Sequence, residues 1–436
     1  GDIVYLHMPG MSAVVVNSHT IATELLDRRG SIYSSRLKPV SLEMSGFEPL
    51  LGFLPYNSPF FNKHRRLFQK HFSHEAILSY QPLVIRHIPD LLRNILSRPE
   101  AYDEHFMRFA SIVPCEVGFG FGLENNEEMA QVTRAALKTL NDSQELALVD
   151  FFPALKHFPD WFPGTSAVRR AREQRPWVRK AFEYPYNLMR AQFEVNMNAS
   201  TTGLEEKADP VDLAYDLQGV VASIITGGID TVWSSMSLFI IFIAMHPEVQ
   251  QAAQAELDSV LKGVRLPEFS DQSSLPYIDC ILMEIKRDNF HPAMLGVPHL
   301  CTENDVYNGY LIPKGTLIIP NAKAMGRDRR IYKDPEQFNP ARFLPRPHGD
   351  GEPPYTSIFG YGRRICPGRY LADAELFIVI ASVLAVFDIR LAMDSNGEEV
   401  KPKIKMSSGF IKHPVPVACN IRLRSPAFAR LLQDSA

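Results

Sequence analysis

Between residues 21 and 257 apolar positions recur mainly with helical spacing, in long segments punctuated by proline and glycine. After Val297 the texture changes. Asp305-Val306-Tyr307 and Tyr310-Leu311-Ile312 are two short extended runs with turn residues between them. From Pro335 to Pro354 there are six prolines and no regular period. A loop of that length inside a compact chain usually carries function or is disordered. A final helix is predicted from near Pro367, through Leu371, Leu376 and Phe377, and short strands between Met406 and Arg424. Gly1 to Leu6 reads as the edge of a first strand. The pattern predicts a mainly α chain with small β-sheets, most of them late in the sequence.

Two apolar stretches could pass for membrane spans. Between Asp216 and His246 the only charge is Asp230, and the length suffices to cross a bilayer. Gln218, Thr226, Gly227, Gly228 and four serines interrupt it, and its strongly apolar part is only Leu238 to Met245. The second, Leu376 to Phe387, is too short. Both are expected to be buried core helices.

Composition narrows the class. Of 436 residues, 22% are charged and 45% hydrophobic, an ordinary globular balance. The 46 basic and 49 acidic residues give a net charge of −3, so no field of one sign invites nucleic acid. The five cysteines, 115, 280, 301, 366 and 419, lie far apart and form neither a zinc pattern nor a disulfide framework.

Four segments carry candidate chemistry. In Phe359-Gly360-Tyr361-Gly362-Arg363-Arg364-Ile365-Cys366-Pro367-Gly368, glycines crowd before a single cysteine that precedes a helix. The helix dipole and Arg364 favour a thiolate there, and hence a soft metal ligand. For a lone cysteine, a buried structural residue beside a turn is the commoner reading. In Glu284-Ile285-Lys286-Arg287, Glu284 and Arg287 share a helix face away from the apolar stripe. Taken alone they are a solvated pair worth little. In Gly227-Gly228-Ile229-Asp230-Thr231, adjacent glycines inside a helix cost about 1 kcal/mol each and need a reason. One is a local distortion where a cofactor comes close; a packing pair beside an exposed Asp230 is the other. In Phe61 to Lys70, the residues Phe61, Arg65, Phe68 and Phe72 share a face, with Lys63, Arg66 and Lys70 opposite. An arginine amid aromatics seeks an anion.

The decapeptide ending in Gly368 resembles the haem-binding loop of the cytochrome P450 family, F-x-x-G-x-R-x-C-x-G, with every specified position filled. The other segments are similar to that family's motifs and follow in its order, so the resemblance covers essentially the whole chain. It implies a single catalytic domain over residues 1–436 that encloses haem b. Cys366 would be the axial thiolate and sole metal ligand, in a loop with Gly362 and Gly368. Arg364 would pair with a haem propionate, as would Arg65 and His299, while Phe359 would cover the sulfur. Asp230 and Thr231 would help deliver protons to bound oxygen. Glu284, Arg287 and Arg342, the last from Phe338-Asn339-Pro340-Ala341-Arg342-Phe343, would form a buried structural triad. The chain departs from the family pattern at Phe61, where tryptophan is usual, and at Asp288-Asn289, which displaces Phe290-His291-Pro292 by two residues.

The function so implied is a monooxygenase that inserts one oxygen atom of O2 into a lipophilic small molecule. Specialised metabolism of a fungus is the expected setting. Electrons would come from NADPH through a separate cytochrome P450 reductase, docked on Lys63, Arg66 and Lys70. Substrate contacts are expected from residues 44–54, 151–162, 224–228, 294–297 and 409–411. The relatives implied begin with a transmembrane helix, so the resemblance places the full-length protein as a monomer on the cytosolic face of the endoplasmic reticulum membrane. Two rivals stay open: a haem-thiolate isomerase or dehydratase that needs no external electrons, and a haem-binding or degenerate member without turnover.

Overall fold

A computed structural model describes residues 1–8, 10–120, 127–142, 148–196, 210–288, 296–409 and 411–434. The chain opens with the antiparallel strands β1 (Ile3–Met8) and β2 (Met11–Val16). Their sheet is completed more than 280 residues later by β3 (His299–Leu300) and β6 (Leu317–Pro320). The strand order is β1-β2-β6-β3, with β6 parallel to β2 and antiparallel to β3. The predicted pair of extended runs is the hairpin β4 (Asp305–Tyr307) and β5 (Tyr310–Ile312). Its turn places Asn308 at φ 50° and Gly309 at φ 80°, both left-handed as a two-residue hairpin requires.

Helices make up the rest of the frame. They are α1 (Pro59–His71), α2 (His74–Arg86), α3 (Ile88–Ser97), α4 (Tyr102–Phe119), α5 (Glu127–Asp142) and α6 (Ser166–Asn196). They continue with α7 (Pro210–Met245), α8 (Pro247–Leu261), α9 (Pro276–Arg287), α10 (Arg369–Val386) and α11 (Pro426–Asp434). The 36-residue α7 is the central beam. It is long and apolar enough to cross a membrane, yet 78% of its most apolar window is buried inside the protein. Leu238 to Ile241 have no exposed surface, which explains why charge is missing all round this part of the helix. The C-terminal half of α10 is buried in the same way.

Two expectations about the late chain are corrected. Among the described residues of 406–418 there is only an isolated bridge, between Met406 and Pro414, because Pro414 and Pro416 supply no ladder donors. The one regular strand there is β8 (Cys419–Leu423), paired with β7 (Phe387–Leu391). The chain then forms α11, whose start at Pro426 and buried Phe428 and Leu432 carry the proline-at-N1 and i,i+4 signals of a helix.

Candidate functional site

The cysteine loop is held open by backbone geometry. Gly360 has φ 77° and Gly362 φ 49°, and a Cβ on Gly362 would meet Leu26 O at 2.6 Å. Only glycine fits there. Cys366 N donates to Phe359 O at 2.7 Å, closing the loop, and α10 follows with Gly368 as its N-cap. Burial pushes the Cys366 thiol up, while the Gly368 N–H and the charges of Arg65 and Arg369 pull it down. Burial wins. This corrects the expectation of a ready thiolate favoured by Arg364: the cations acting on the sulfur are Arg65 and Arg369. A thiol held neutral by its surroundings becomes thiolate once a metal cation ligates it. Phe359 lies beside it in the loop, with Lys286 Nζ 5.4 Å from its ring centroid.

Next to this loop four basic side chains crowd together. Arg65 Nη1 donates to Ile365 O at 2.7 Å. Arg364 stacks 3.9 Å over the Phe61 ring and donates to the carbonyls of Ser34, Leu51 and Leu54. Phe61, which lacks an indole N–H, is therefore a platform for a guanidinium. Arg36, which sequence reasoning missed, is buried beside them with its Nε lacking any hydrogen-bond partner. His299 Nδ1 donates to Tyr33 O at 2.8 Å and is likewise buried. Burial and the charge of Arg65 pull Arg364 down to about 9. Burial, then Arg364, lower Arg36 well below its ordinary value, and burial, then Arg36, do the same to His299.

Among the described residues no acidic side chain pairs with Arg36, Arg65 or Arg364. A guanidinium does not give up its proton in a protein. An anion would relieve the crowding. A flat group bearing two carboxylates and a metal ion fits this donor set, with a soft sulfur ligand at Cys366 and cations around it.

On α7 the two glycines do different work, and the expected distortion is not seen: the helix runs on through both. Gly227 is exposed in mid-helix with nothing within 4 Å of an added Cβ, so it opens onto free space. Gly228 packs on Pro114 of α4, 3.3 Å from an added Cβ. Thr231 Oγ1 donates to Gly227 O at 2.8 Å on the open side. Asp230 is buried and turns elsewhere: Asn141 Nδ2 donates to its Oδ2 at 3.0 Å, and His413 Nε2 lies 3.6 Å from its Oδ1.

The Glu284–Arg287 pair is not solvated. Both side chains are fully buried, and Arg287 makes two 2.8 Å bonds to the carboxylate. Glu284 Oε1 also accepts from Asn339 N at 2.8 Å and Arg342 Nε at 3.2 Å. Arg287 donates to Gly326 O and Pro335 O, while Arg342 reaches Lys333 O, Gln337 O and Glu352. One carboxylate thus organises two guanidinium groups, and these staple residues 326–342 to α9. Spacing alone reads as a surface pair because the loop that covers it is distant in sequence.

The basic stripe on α1 is also altered. Lys63 Nζ pairs with Asp216 Oδ2 at 3.2 Å, so it is engaged with α7. Arg66 lines an open groove of about 700 Å³ with Arg65, Arg363 and Arg369, between α1 and the cysteine loop. Of the expected substrate segments, Leu50, Leu51 and Leu54 are buried, whereas Phe152, Phe158 and Trp161 are exposed. Trp161, at 81%, does not line an interior. Asn289, Phe290, His291, Pro292, Met294 and Phe410 lie outside the described residues, whereas Asp288 is buried at the end of α9.

Comparison with known proteins agrees with this geometry. The cytochrome P450 family model matches residues 1–420. Cytochrome P450 monooxygenase 176 of Postia placenta is 35% identical over 453 residues, covering 100% of this chain and 86% of that protein. Cytochrome P450 monooxygenase claR of Ampulloclitocybe clavipes is also 35% identical, over 99% of this chain and 82% of its own. Tryptamine 4-monooxygenase of Psilocybe cyanescens is 32% identical over 96% of this chain and 85% of that protein. A solved zebra fish cytochrome P450 with abiraterone superposes with a TM-score of 0.75 at 22% identity, over 98% of this chain and 97% of that one.

Proposed function

The chain belongs to the cytochrome P450 family, and on that premise we propose that it inserts one oxygen atom of O2 into a C–H or C=C bond of a lipophilic small molecule, in fungal specialised metabolism. The observation that carries this reading is the crowd of Arg36, Arg65, Arg364 and His299 beside Cys366, unmatched by any acidic side chain among the described residues. Cys366 would hold haem b through its sulfur, with Gly362 and Gly368 shaping its loop, and the four basic groups would hold the propionates. Phe359 would cover the sulfur.

When bound, a haem-thiolate centre supplies the chemistry that activates O2, because the thiolate pushes electron density toward iron. The residues of the chain do the rest. Gly227 leaves room on α7, and Thr231 offers a hydroxyl on that open side. Asp230 is the acid behind it. Glu284, Arg287 and Arg342 lock residues 326–342 in place. The buried apolar segment around Leu50 to Leu54 suits a lipophilic guest.

NADPH supplies electrons through a separate reductase. Arg66, Arg363 and Arg369 around the open groove, with the exposed Lys70, offer a basic face for an acidic flavoprotein. Exposed Phe152, Phe158 and Trp161 suit a lipid surface, which supports a site on the endoplasmic reticulum membrane. The test is the absorption spectrum of the reduced, carbon-monoxide-bound protein. A red-shifted thiolate-type Soret band, lost in Cys366→Ala, is expected; a histidine-type band overturns the assignment. Thr231→Ala should uncouple oxygen consumption from product.

A further inference from the structure

Asp230 is the lone acid in the apolar stretch of α7, and its carboxylate faces away from the opening at Gly227. Its neighbours come from two other places in the fold. Asn141, at the end of α5, donates to Oδ2 at 3.0 Å. His413, from the loop before β8, brings Nε2 to 3.6 Å from Oδ1. Among the described residues neither ring nitrogen of His413 has a hydrogen-bond partner, and both are buried although 14% of the side chain is exposed.

The ring is aimed rather than adrift. His413 N donates to Ser407 Oγ at 2.9 Å, and Ser407 N donates to His413 O at 2.7 Å. Ser234 Oγ of α7 donates to Lys412 O at 2.8 Å. Ile411 N donates to Asn141 Oδ1 at 3.0 Å, so the amide that holds Asp230 also holds the His413 loop. Space is short here: a Cβ on Gly409 would come within 3.2 Å of Asn141.

An indole and two carboxylates surround the ring. His413 lies against Trp233 with centroids 4.1 Å apart and the planes tilted by 36°, and an indole face attracts positive charge. The charged groups acting on it are two carboxylates, Asp230 on α7 and Asp103 on α4. Asp103 in turn accepts from Trp233 Nε1 at 3.0 Å and from Ser237 Oγ at 2.6 Å. Burial pushes Asp103 up, and the His413 charge acts against that.

We propose that His413 is the proton-exchanging partner of Asp230. Its imidazolium pairs with the carboxylate; the Nε2–H bond breaks as an Oδ1–H bond forms, and Asp230 then passes that proton on, leaving a carboxylate and a neutral imidazole. The neutral imidazole then regains a proton from water. His413 touches neither substrate nor cofactor; it is a positioning residue that acts through Asp230. The inference rests on the monooxygenase reading, which is what requires Asp230 to be recharged in every cycle.

The experiment uses the holoenzyme and separates the two readings. With Trp161 and Trp177 replaced by phenylalanine, Trp233 is the one tryptophan left, and a protonated imidazole lying against it quenches its emission. Emission should rise with pH as the ring loses its proton, and the rise should be absent in His413→Gln. In Asp230→Asn it should move to lower pH. In turnover, His413→Gln should give about tenfold less product per O2 consumed, with a flattened pH profile, while the thiolate-type carbon monoxide spectrum persists. An emission profile that Asp230→Asn leaves in place overturns the proposal, as does unchanged coupling in His413→Gln. Should His413→Gln fail to fold, the comparison of the parent chain with Asp230→Asn still decides the pairing. A lost carbon monoxide signature with an intact emission shift would instead sink the monooxygenase reading alone.

Discussion

His64 Nε2 sits 3.0 Å from Asp216 Oδ1, joining α1, which carries Arg65, to α7, which carries the Gly227 opening. The imidazole has no exposed surface, and Lys63 occupies the other carboxylate oxygen at 3.2 Å. Burial lowers the His64 pKa, with the Asp216 charge acting in the opposite sense. The approach is possible because position 219 is glycine: a Cβ there would lie 2.3 Å from His64 Cε1 and 2.8 Å from Pro49 O. Gly219→Ala must push the two helices apart. Overpacking of this kind costs about 1–3 kcal/mol, so chemical denaturation should show a destabilised protein, with faster haem loss because Arg65 moves with α1. A variant as stable as the parent would show that the helix contact is soft.

The Glu284 cluster should be far costlier to break than any surface pair. Glu284→Gln leaves Arg287 and Arg342 buried with less than their full charge compensation, and breaking such a pair costs about 3–5 kcal/mol. The contrast is Arg329→Ala, whose partner Glu336 lies on the exposed surface and whose loss should cost far less. Urea unfolding of both variants checks the difference. Equal losses would mean that the buried cluster is not what holds the loop to α9.

These two cases show what the sequence makes legible. Helical periodicity and the order of motifs are local patterns, so the mainly α fold and the family can be read directly. Burial created by distant segments cannot. Glu284 and Arg287 look solvated until residues 326–342 are laid over them, and Lys63 looks free until Asp216 arrives from another helix. Arg36 follows two serines in a segment with no helical or strand period, so only its convergence with Arg364 reveals it. His413 sits between prolines in an irregular tail, and nothing local ties it to Asp230. The C-terminal helix was legible from Pro426, Phe428 and Leu432.

Arg36 offers a sign test for the anion that the basic crowd awaits. In the haem-free chain it is a buried charge beside Arg364 without an acidic partner, a costly arrangement. Arg36→Leu should therefore leave the stability of the apoprotein unchanged or raised. In the holoprotein it removes a charge-assisted contact, worth about 1.5–3 kcal/mol, so transfer of haem to apomyoglobin should speed up tenfold or more. Parallel unfolding of the apo and holo forms, with the transfer rate, gives both signs. A variant that weakens the apoprotein and leaves haem transfer alone would assign Arg36 to packing.

Glu375 makes stability depend on pH in an unusual direction. It lies on α10 with no exposed surface, and neither carboxyl oxygen has a hydrogen-bond partner. Burial pushes its pKa well above the ordinary value. Because the folded-state pKa is raised, the folded chain keeps this proton while the unfolded chain loses it near pH 4.3. Between the two pKa values the unfolded state binds fewer protons, so stability falls as pH rises, by at most about 1.4 kcal/mol per pH unit. The contribution is fully present below the unfolded value and drains away toward the folded one. Glu375→Gln keeps the shape of the neutral acid and has no proton to lose. Its advantage over the parent chain in urea unfolding should be absent near pH 4 and widen steadily through pH 5, 6 and 7. A gap that stays constant over that range would mean that the Glu375 carboxyl is ionised in the folded protein, with a partner that offsets its burial.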